Sequence, residues 1–387
     1  MEESAQSRRE TLGALSDAGR RVFTTVLTRG PISRIDIAKT TGLSQAAVTK
    51  AITPLIADGL VGDADTAPAR ASSPGRPASP IAVRPSALSL IGVKVNDDEL
   101  IGVLTDARTG IAASKRIPLT AHDPETVIAA VIGLVGRLAG YATAPVCAIG
   151  VSVSGDVDPA SGTVRDSAIL GWTDVALGDR LTEALAIPVT IENDVHALTF
   201  GEHWFGVGLG TASFAIVTIG RGVGSGLHLG GEVVSGAYGV VGEVGHIPVA
   251  SPERVCRCGR RGCTEAVAST AAITERISRA HGREVSIGEA VRLAHEGHPS
   301  AVEAFTEAGS AIGTAIATLI NIVGPELVII GGEAVANFDL FERSLRRAID
   351  DHAFGAAARC DIVARPHTFE DWARGAAASA IGALIYQ

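Results

Sequence analysis

His246, Cys256, Cys258 and Cys263 place one imidazole and three thiols close together in the chain. Gly259 and Gly262 let the loop that carries the cysteines turn tightly enough to aim three sulfurs inward. Four soft donors would complete a tetrahedral zinc site and leave no position open for an activated water. The expected ion is therefore structural, one Zn2+ per chain, tying the loop to the strand or turn before it. Unmetallated thiols or a disulfide are the alternative. Cys147, alone in an apolar strand, and Cys360, near the end, complete a set of five cysteines that fits reduced thiols plus a metal better than a disulfide framework.

Glu243 and Glu265 bracket this set and are not needed as metal ligands. Upstream, Val189-Thr190-Ile191-Glu192 reads as a short strand ending in Asn193-Asp194, an amide and a carboxylate at a strand-to-helix corner where α/β proteins bind ligands. Several fixed hydrogen-bonding groups suit a polyhydroxylated ligand. Taken together, Glu192-Asn193-Asp194, Gly242-Glu243-Val244-Gly245-His246 and Cys256-Arg257-Cys258-Gly259-Arg260-Arg261-Gly262-Cys263-Thr264-Glu265 resemble the ROK family of sugar kinases and sugar-responsive repressors, over roughly residues 20–387. Within it the chain looks most like the transcriptional-regulator branch of xylose- and N-acetylglucosamine-type repressors.

The resemblance implies sugar contacts at Asn193, Asp194, Glu243, His246 and Glu265, with one ring nitrogen of His246 on zinc and the other left for the ligand. It also exposes departures. Kinases of the family open with Asp-x-Gly-Gly-Thr, whose bare amides approach ATP phosphates and whose Asp orients the metal. Here the segment is Gly92-Val93-Lys94-Val95-Asn96-Asp97-Asp98-Glu99, with Lys94 for the Asp and Asn96 and Asp97 for the glycines. Uncompensated carboxylates against a triphosphate cost on the order of 1 kcal/mol or more each at an effective dielectric of about 20. Asp194 matches the family's catalytic base, but without a phosphoryl donor it is assigned to sugar binding. Ile169 stands where the family's substrate loop usually carries Asn, and two glycine turns, Gly220–Gly226 and Gly331-Gly332, survive.

These residues need elements to hold them. Apolar alternation predicts strands at Leu88–Val95, Leu100–Thr105 and Ile111–Ile117, a helix over about 123–141, and a strand at Val146–Val153. A related order recurs downstream: strands at Ala212–Thr218 and Gly224–Leu229, a helix near 299–322, a strand at Leu327–Ile330 and a helix at Phe338–Asp351. Strands joined by helices indicate α/β class, with parallel pairing expected. The repeat matches the two-lobed actin-like ATPase fold, a duplicated ribonuclease-H-like unit, that the ROK resemblance implies.

Ahead of it, a helix over 20–27 is followed by Gly30-Pro31, a second helix at Arg34–Thr40 with Ile35, Ile37 and Ala38 inward, the turn Thr41-Gly42-Leu43, and a third helix capped by Ser44. Val48, Ile52 and Leu55 form its apolar face, Gln45, Ala46, Thr49 and Lys50 its polar one, and Pro54 is expected to kink or end it. This pattern predicts a winged helix-turn-helix over 1–62. Ser44, Gln45, Ala46, Thr49 and Lys50 would face DNA, Gln45 on an adenine edge, Ala46 and Thr49 on a thymine methyl or phosphate, and Lys50 on a phosphate. An ordinary three-helix bundle is the alternative. Residues 63–86 read as wing tip and linker, pliant enough to let two heads adjust their spacing. Within it Arg76, in Pro74-Gly75-Arg76-Pro77, resembles the Gly-Arg-Pro element of ROK repressors and would enter an AT-rich minor groove, unless the stretch is a plain linker. Residues 87–387 make up the ROK domain.

Charge is divided along the chain. Residues 1–84 carry 11 Lys/Arg against 8 Asp/Glu, a net +3, so the total of -9 leaves -12 for the remainder. A mildly basic head on an acidic body suits a DNA-binding module fused to a sensor. The acidic start Met1-Glu2-Glu3-Ser4 does not read as a signal peptide, and no run of about 18 charge-free apolar residues is evident, which places the chain in the cytoplasm. The expected function is a sugar-responsive regulator, not an enzyme, acting as a homodimer or homotetramer on a two-fold symmetric, AT-rich operator and relieved by sugar as the lobes close. The alternatives are a ROK-type kinase passing phosphate from ATP to a hexose, and a DNA-binding or scaffold protein whose pocket binds nothing.

Overall fold

The computed structural model describes residues 2–64 and 79–386. They form two compact units, residues 1–209 with 370–387 and residues 210–369.

The first unit opens with α1 (Glu2–Gly13), α2 (Asp17–Arg29), α3 (Arg34–Thr41) and α4 (Gln45–Ala57). Serines cap the last three: Ser16 Oγ accepts from Gly19 N, Ser33 from Asp36 N and Ser44 from Ala47 N, satisfying amides that lack a helical partner. Gly42, at φ 68°, ends α3 in the left-handed conformation that the helix-turn-helix corner requires. Ile37 is buried, but Ile35 is 48% exposed, against expectation. On a helix of eight residues the inward face holds one Ile, and position 35 falls nearly opposite position 37. Pro54 does not stop α4, which runs to Ala57.

β1 (Val61–Asp63) and β2 (Ile81–Val83) pair antiparallel, Val61 opposite Val83, and form a wing. The second wing strand therefore lies within the stretch read as wing tip and linker. Ala64 N donates to Pro80 O, which continues the antiparallel pairing one step past Asp63 and Ile81. The peptide that joins the head to the body is the short turn after Val83. Far from hanging on a tether, the head shares a continuous core with the rest of the unit: Val22, Phe23, Leu27, Leu55 and Ile81 pack in one cluster with Leu88, Leu90, Ala148, Ile381 and Ile385.

The body of this unit is a mixed sheet of β3 (Ser89–Val95), β4 (Glu99–Thr105), β5 (Ile111–Pro118), β6 (Val146–Val153) and β10 (Val189–Asn193), ordered β10-β6-β3-β4-β5. Helix α5 (Pro124–Ala139) covers it, and β7 (Asp156–Val157), β8 (Val164–Ser167) and β9 (Trp172–Val175) form a small side sheet. Then α6 (Leu177–Leu185) leads into β10, and α7 (Asp194–Phe205) follows it directly. Pairing is antiparallel for β3-β4-β5 and parallel for β3-β6-β10, so the strands joined through helices are the parallel ones, as expected.

The second unit repeats this order. Its strands β11 (Ser213–Ile219), β12 (Val223–Leu229), β13 (Glu232–Val233), β14 (Leu327–Gly331) and β15 (Asp361–Ala364) run β13-β12-β11-β14-β15. Its helices are α8 (Glu265–Ala268), α9 (Thr270–His281), α10 (Ile287–His295), α11 (Pro299–Val323) and α12 (Asp339–His352). In each unit the central strand pairs antiparallel to its hairpin partner and parallel to the strand that follows the next helical segment, α5 in the first unit and α8 to α11 in the second, the duplication expected of the actin-like fold. α11 is long and apolar enough by composition to cross a membrane, a run not anticipated above. Ala304, Ala308, Ile312, Ile316 and Ile320 of α11 are buried in this unit's core. The chain then returns to the first unit as α13 (Phe369–Tyr386).

Candidate functional site

In the second unit a single turn of 3-10 helix, Val244–His246, sets His246 beside the cysteine loop. Gly259 at φ 82° and Gly262 at φ 74° take the left-handed conformation, the freedom for which glycine is needed there. Bridges Pro248–Cys263 and Val255–Arg261 pin the loop to the segment before it. His246 Nδ1 lies 3.8 Å from Cys256 Sγ, Cys258 Sγ lies 3.8 Å from Cys263 Sγ, and the four donor atoms fall within 4.8 Å of one another. Sulfurs about 2.3 Å from a tetrahedral ion are separated by about 3.8 Å, so the donor set fits a zinc-sized metal in type and spacing. All five cysteines are free thiols.

Burial pushes the Cys256 thiol up to about 12 and raises that of Cys263, whereas the Arg260 N–H holds that of Cys258 below its usual value. Two buried thiols beside a more acidic one would gain most from a cation that stabilises their thiolates. Cys147 and Cys360, both pushed up to about 11 by burial, stand apart from the cluster. His246 Nε2 faces Glu243, 3.9 Å from its Oε2, so the two ring nitrogens are divided between the sulfurs and a carboxylate.

Glu265 follows the last cysteine by two residues and opens α8. Its Oε2 accepts from Val223 N at 3.0 Å. A second carboxylate acts on the same glycine turn, for Glu333 Oε1 accepts from Arg221 N at 2.8 Å. A Cβ at Gly220 would overlap the Glu333 carboxylate, and one at Gly222 would come within 2.7 Å of Glu265 Oε2. The surviving glycines therefore make room for the protein's own carboxylates. Glu333 was not singled out from the sequence, although it directly follows the Gly331-Gly332 pair that was.

In the first unit, Asn193 caps α7: its Oδ1 accepts from Val195 N at 2.9 Å and His196 N at 3.2 Å, while Nδ2 donates to Gly155 O at 2.8 Å. Its amide fixes the strand-to-helix corner. Asp194 Oδ1 accepts from Val195 N at 2.9 Å, and Oδ2 receives Lys94 Nζ at 2.7 Å. The Lys94 and Asp194 side chains are 5% and 14% exposed, so this is a buried ion pair. Just beyond Lys94 the carboxamide nitrogen of Asn96 is buried without a hydrogen-bond partner in the described structure. Ile169 lies half-buried in the turn before β9.

The helix-turn-helix residues are arranged as their spacing predicts. Val48, Ile52 and Leu55 are buried, and Ser44, Gln45, Ala46, Thr49 and Lys50 are exposed along one side of α4. Arg76 and its Gly-Arg-Pro element lie outside the described residues.

A winged helix-turn-helix built onto a duplicated actin-like body, with a cluster of one histidine and three cysteines in the second unit, defines the class of protein. The family model described as ROK matches residues 90–383, and the chain belongs to that family. It is 30% identical over 316 residues to the DNA-binding transcriptional dual regulator NagC of Escherichia coli strain K12, covering 79% of this chain and 77% of that protein. It is similar to a solved ROK family transcriptional regulator described as a homolog of the E. coli MLC protein, with TM-score 0.82 and 27% identity over 98% of this chain and 97% of the other. A ROK family glucokinase from Streptomyces griseus, solved with glucose and AMPPNP, gives TM-score 0.66 and 26% identity over 99% of its own length but 76% of this chain.

Proposed function

We propose that the chain is a sugar-responsive, DNA-binding transcriptional regulator, a repressor of carbohydrate-utilisation genes, that performs no phosphoryl transfer. The observation that carries this reading is α4, capped by Ser44, with Gln45, Ala46, Thr49 and Lys50 turned outward and the opposite face anchored in the core. A helix so presented can enter a major groove with its N-terminal residues on base edges and Lys50 on a phosphate. Arg76 is proposed to read the flanking AT-rich minor groove, on a two-fold symmetric operator bound by a homodimer or homotetramer in the cytoplasm.

Two features oppose a kinase. Lys94 already holds Asp194, the residue that matches the family's catalytic base. Carboxylates of Glu333 and Glu265 already accept from amides of the glycine turn, so a phosphate approaching there would meet like charge. The proposed effector contacts are Asn193, Asp194, Glu243, His246 and Glu265, with Asn193 acting through the corner it caps. His246, Cys256, Cys258 and Cys263 are proposed to hold one structural zinc that orients His246 and Glu265.

The test is selection from a random duplex pool by the full-length protein, followed by a thermal-shift panel of free and phosphorylated glucose, xylose and N-acetylglucosamine. Enrichment of a symmetric duplex and stabilisation by one sugar are expected. No enriched duplex, or steady ATP-dependent sugar phosphorylation abolished by Asp194→Asn, would overturn the reading.

A further inference from the structure

The last helix of the chain, α13, touches both the Lys94–Asp194 corner and the DNA-binding head. At its first turn, Trp372 is buried with its ring centroid 5.9 Å from Lys94 Nζ. At its far end, Ala380, Ile381, Leu384 and Ile385 lie in the core cluster that contains Val22, Phe23, Val26 and Leu27 of α2, and Tyr386 OH is 3.1 Å from Thr24 Oγ1.

Between these ends the helix is seated backbone to backbone. A Cβ on Gly92 of β3 would overlap the Ala373 carbonyl, and one on Gly150 of β6 would overlap that of Ala376. A Cβ on Gly375 of α13 would strike the Ala197 carbonyl of α7, and one on Gly201 of α7 would press on α13 less severely, reaching 3.2 Å from Gly375 Cα. At these glycines no side chain separates α13 from β3, β6 or α7. Lys94 projects from β3 and Asp194 begins α7, so the ion pair helps set the separation of the two elements against which α13 rests. Small shifts in a tightly packed interior are passed on rather than absorbed.

We propose that α13 transmits the state of the Lys94–Asp194 pair to the DNA-reading helices, with Lys94 as a positioning residue. A ligand hydroxyl that takes over Asp194 Oδ2 releases the Lys94 ammonium from its carboxylate and frees β3 and α7 to move apart. The first turn of α13 follows, and its far end shifts α2, on which α4 is packed. Trp372 Nε1 is a buried donor with no partner in the described structure, so a shifted first turn that gives it one would be favoured. The proposal rests on Asp194 being an effector contact.

Hydrogen–deuterium exchange on the full-length protein reads the coupling with neither sugar nor DNA present. Lys94→Met is expected to raise exchange in α13 and in Thr24–Leu27 of α2 by a larger factor than in α5, while the second unit keeps wild-type rates. It is also expected to weaken binding to the selected duplex about fivefold or more, the lower end of ordinary coupling energies. Gly201→Ala leaves Lys94 and Asp194 in place and wedges α7 from α13, and it should move the same two segments. This second variant decides the matter if Lys94→Met raises exchange throughout the molecule. Unchanged exchange in α13 and α2 in both variants overturns the proposal. If exchange moves as expected but the wild-type protein enriches no duplex, the coupling stands and the regulator reading fails.

Discussion

Lys94 Nζ donates to Asp194 Oδ2 at 2.7 Å, joining β3 to the start of α7 across a hundred residues of chain. The carboxylate that the resemblance matches to a kinase base is thus held by an ammonium in a buried ion pair. Breaking a buried pair from one side leaves an uncompensated charge. Lys94→Met is expected to lower unfolding free energy by about 3–5 kcal/mol, and Lys94→Met with Asp194→Asn to recover most of it. Urea denaturation of the four-member cycle checks this, and additive losses would contradict it.

Restoring the aspartate should not restore a kinase. Lys94→Asp leaves the Arg221 and Val223 amides bonded to Glu333 and Glu265, and it adds negative charge near Asp194. A coupled assay with ATP across the sugar panel is expected to show no turnover for wild type or Lys94→Asp. Turnover in the variant would mean that Lys94 alone suppresses the activity.

Metal content should be one zinc per chain by elemental analysis. Cys258→Ser is expected to purify without stoichiometric metal and to melt at lower temperature, because the binding energy of a structural metal is folding energy. Glu243→Ala, which removes the carboxylate 3.9 Å from His246 Nε2, should weaken metal affinity by about 10–100-fold. Cys147→Ser should retain the metal, and a metal-free wild-type protein of full stability would refute the assignment.

On the enriched duplex, Lys50→Ala should weaken binding evenly across sequences and reduce the salt slope by about 1, as loss of one phosphate contact does. Gln45→Ala should cost about 1–3 kcal/mol and relax selectivity at a single base pair. Ser44→Ala removes the cap on Ala47 N and should cost about 1 kcal/mol of stability. Competition titrations separate the first two effects, and thermal melting reads the third.

Much of this organisation was legible because it obeys local rules. The i, i+4, i+7 spacing of Val48, Ile52 and Leu55 and the capping serines 33 and 44 located the helix-turn-helix, and the spacing of His246, Cys256, Cys258 and Cys263 pointed to the cluster whose donor atoms the fold brings within 4.8 Å of one another. What stayed hidden depended on pairing at long range. Neither the Lys94–Asp194 contact nor the capture of Arg221 N by Glu333 leaves a periodic trace. The wing was half-read because β2 is three residues long and follows a Pro- and Ser-rich stretch that reads as linker. Among the described side chains of α1 only Ala5 and Leu12 are buried, and α13 is alanine-rich and buried nearly all round, so neither shows the one-sided pattern that marks an amphipathic helix.

On the proposed function one chain reads a sugar and an operator, and each alters affinity for the other. The most direct measurement is a titration of full-length protein against the enriched duplex, with and without the sugar that gives the largest thermal shift. A sugar-dependent loss of duplex affinity of about 5- to 150-fold, abolished in Glu243→Ala, is the predicted result. Identical affinity with and without saturating sugar would contradict the account.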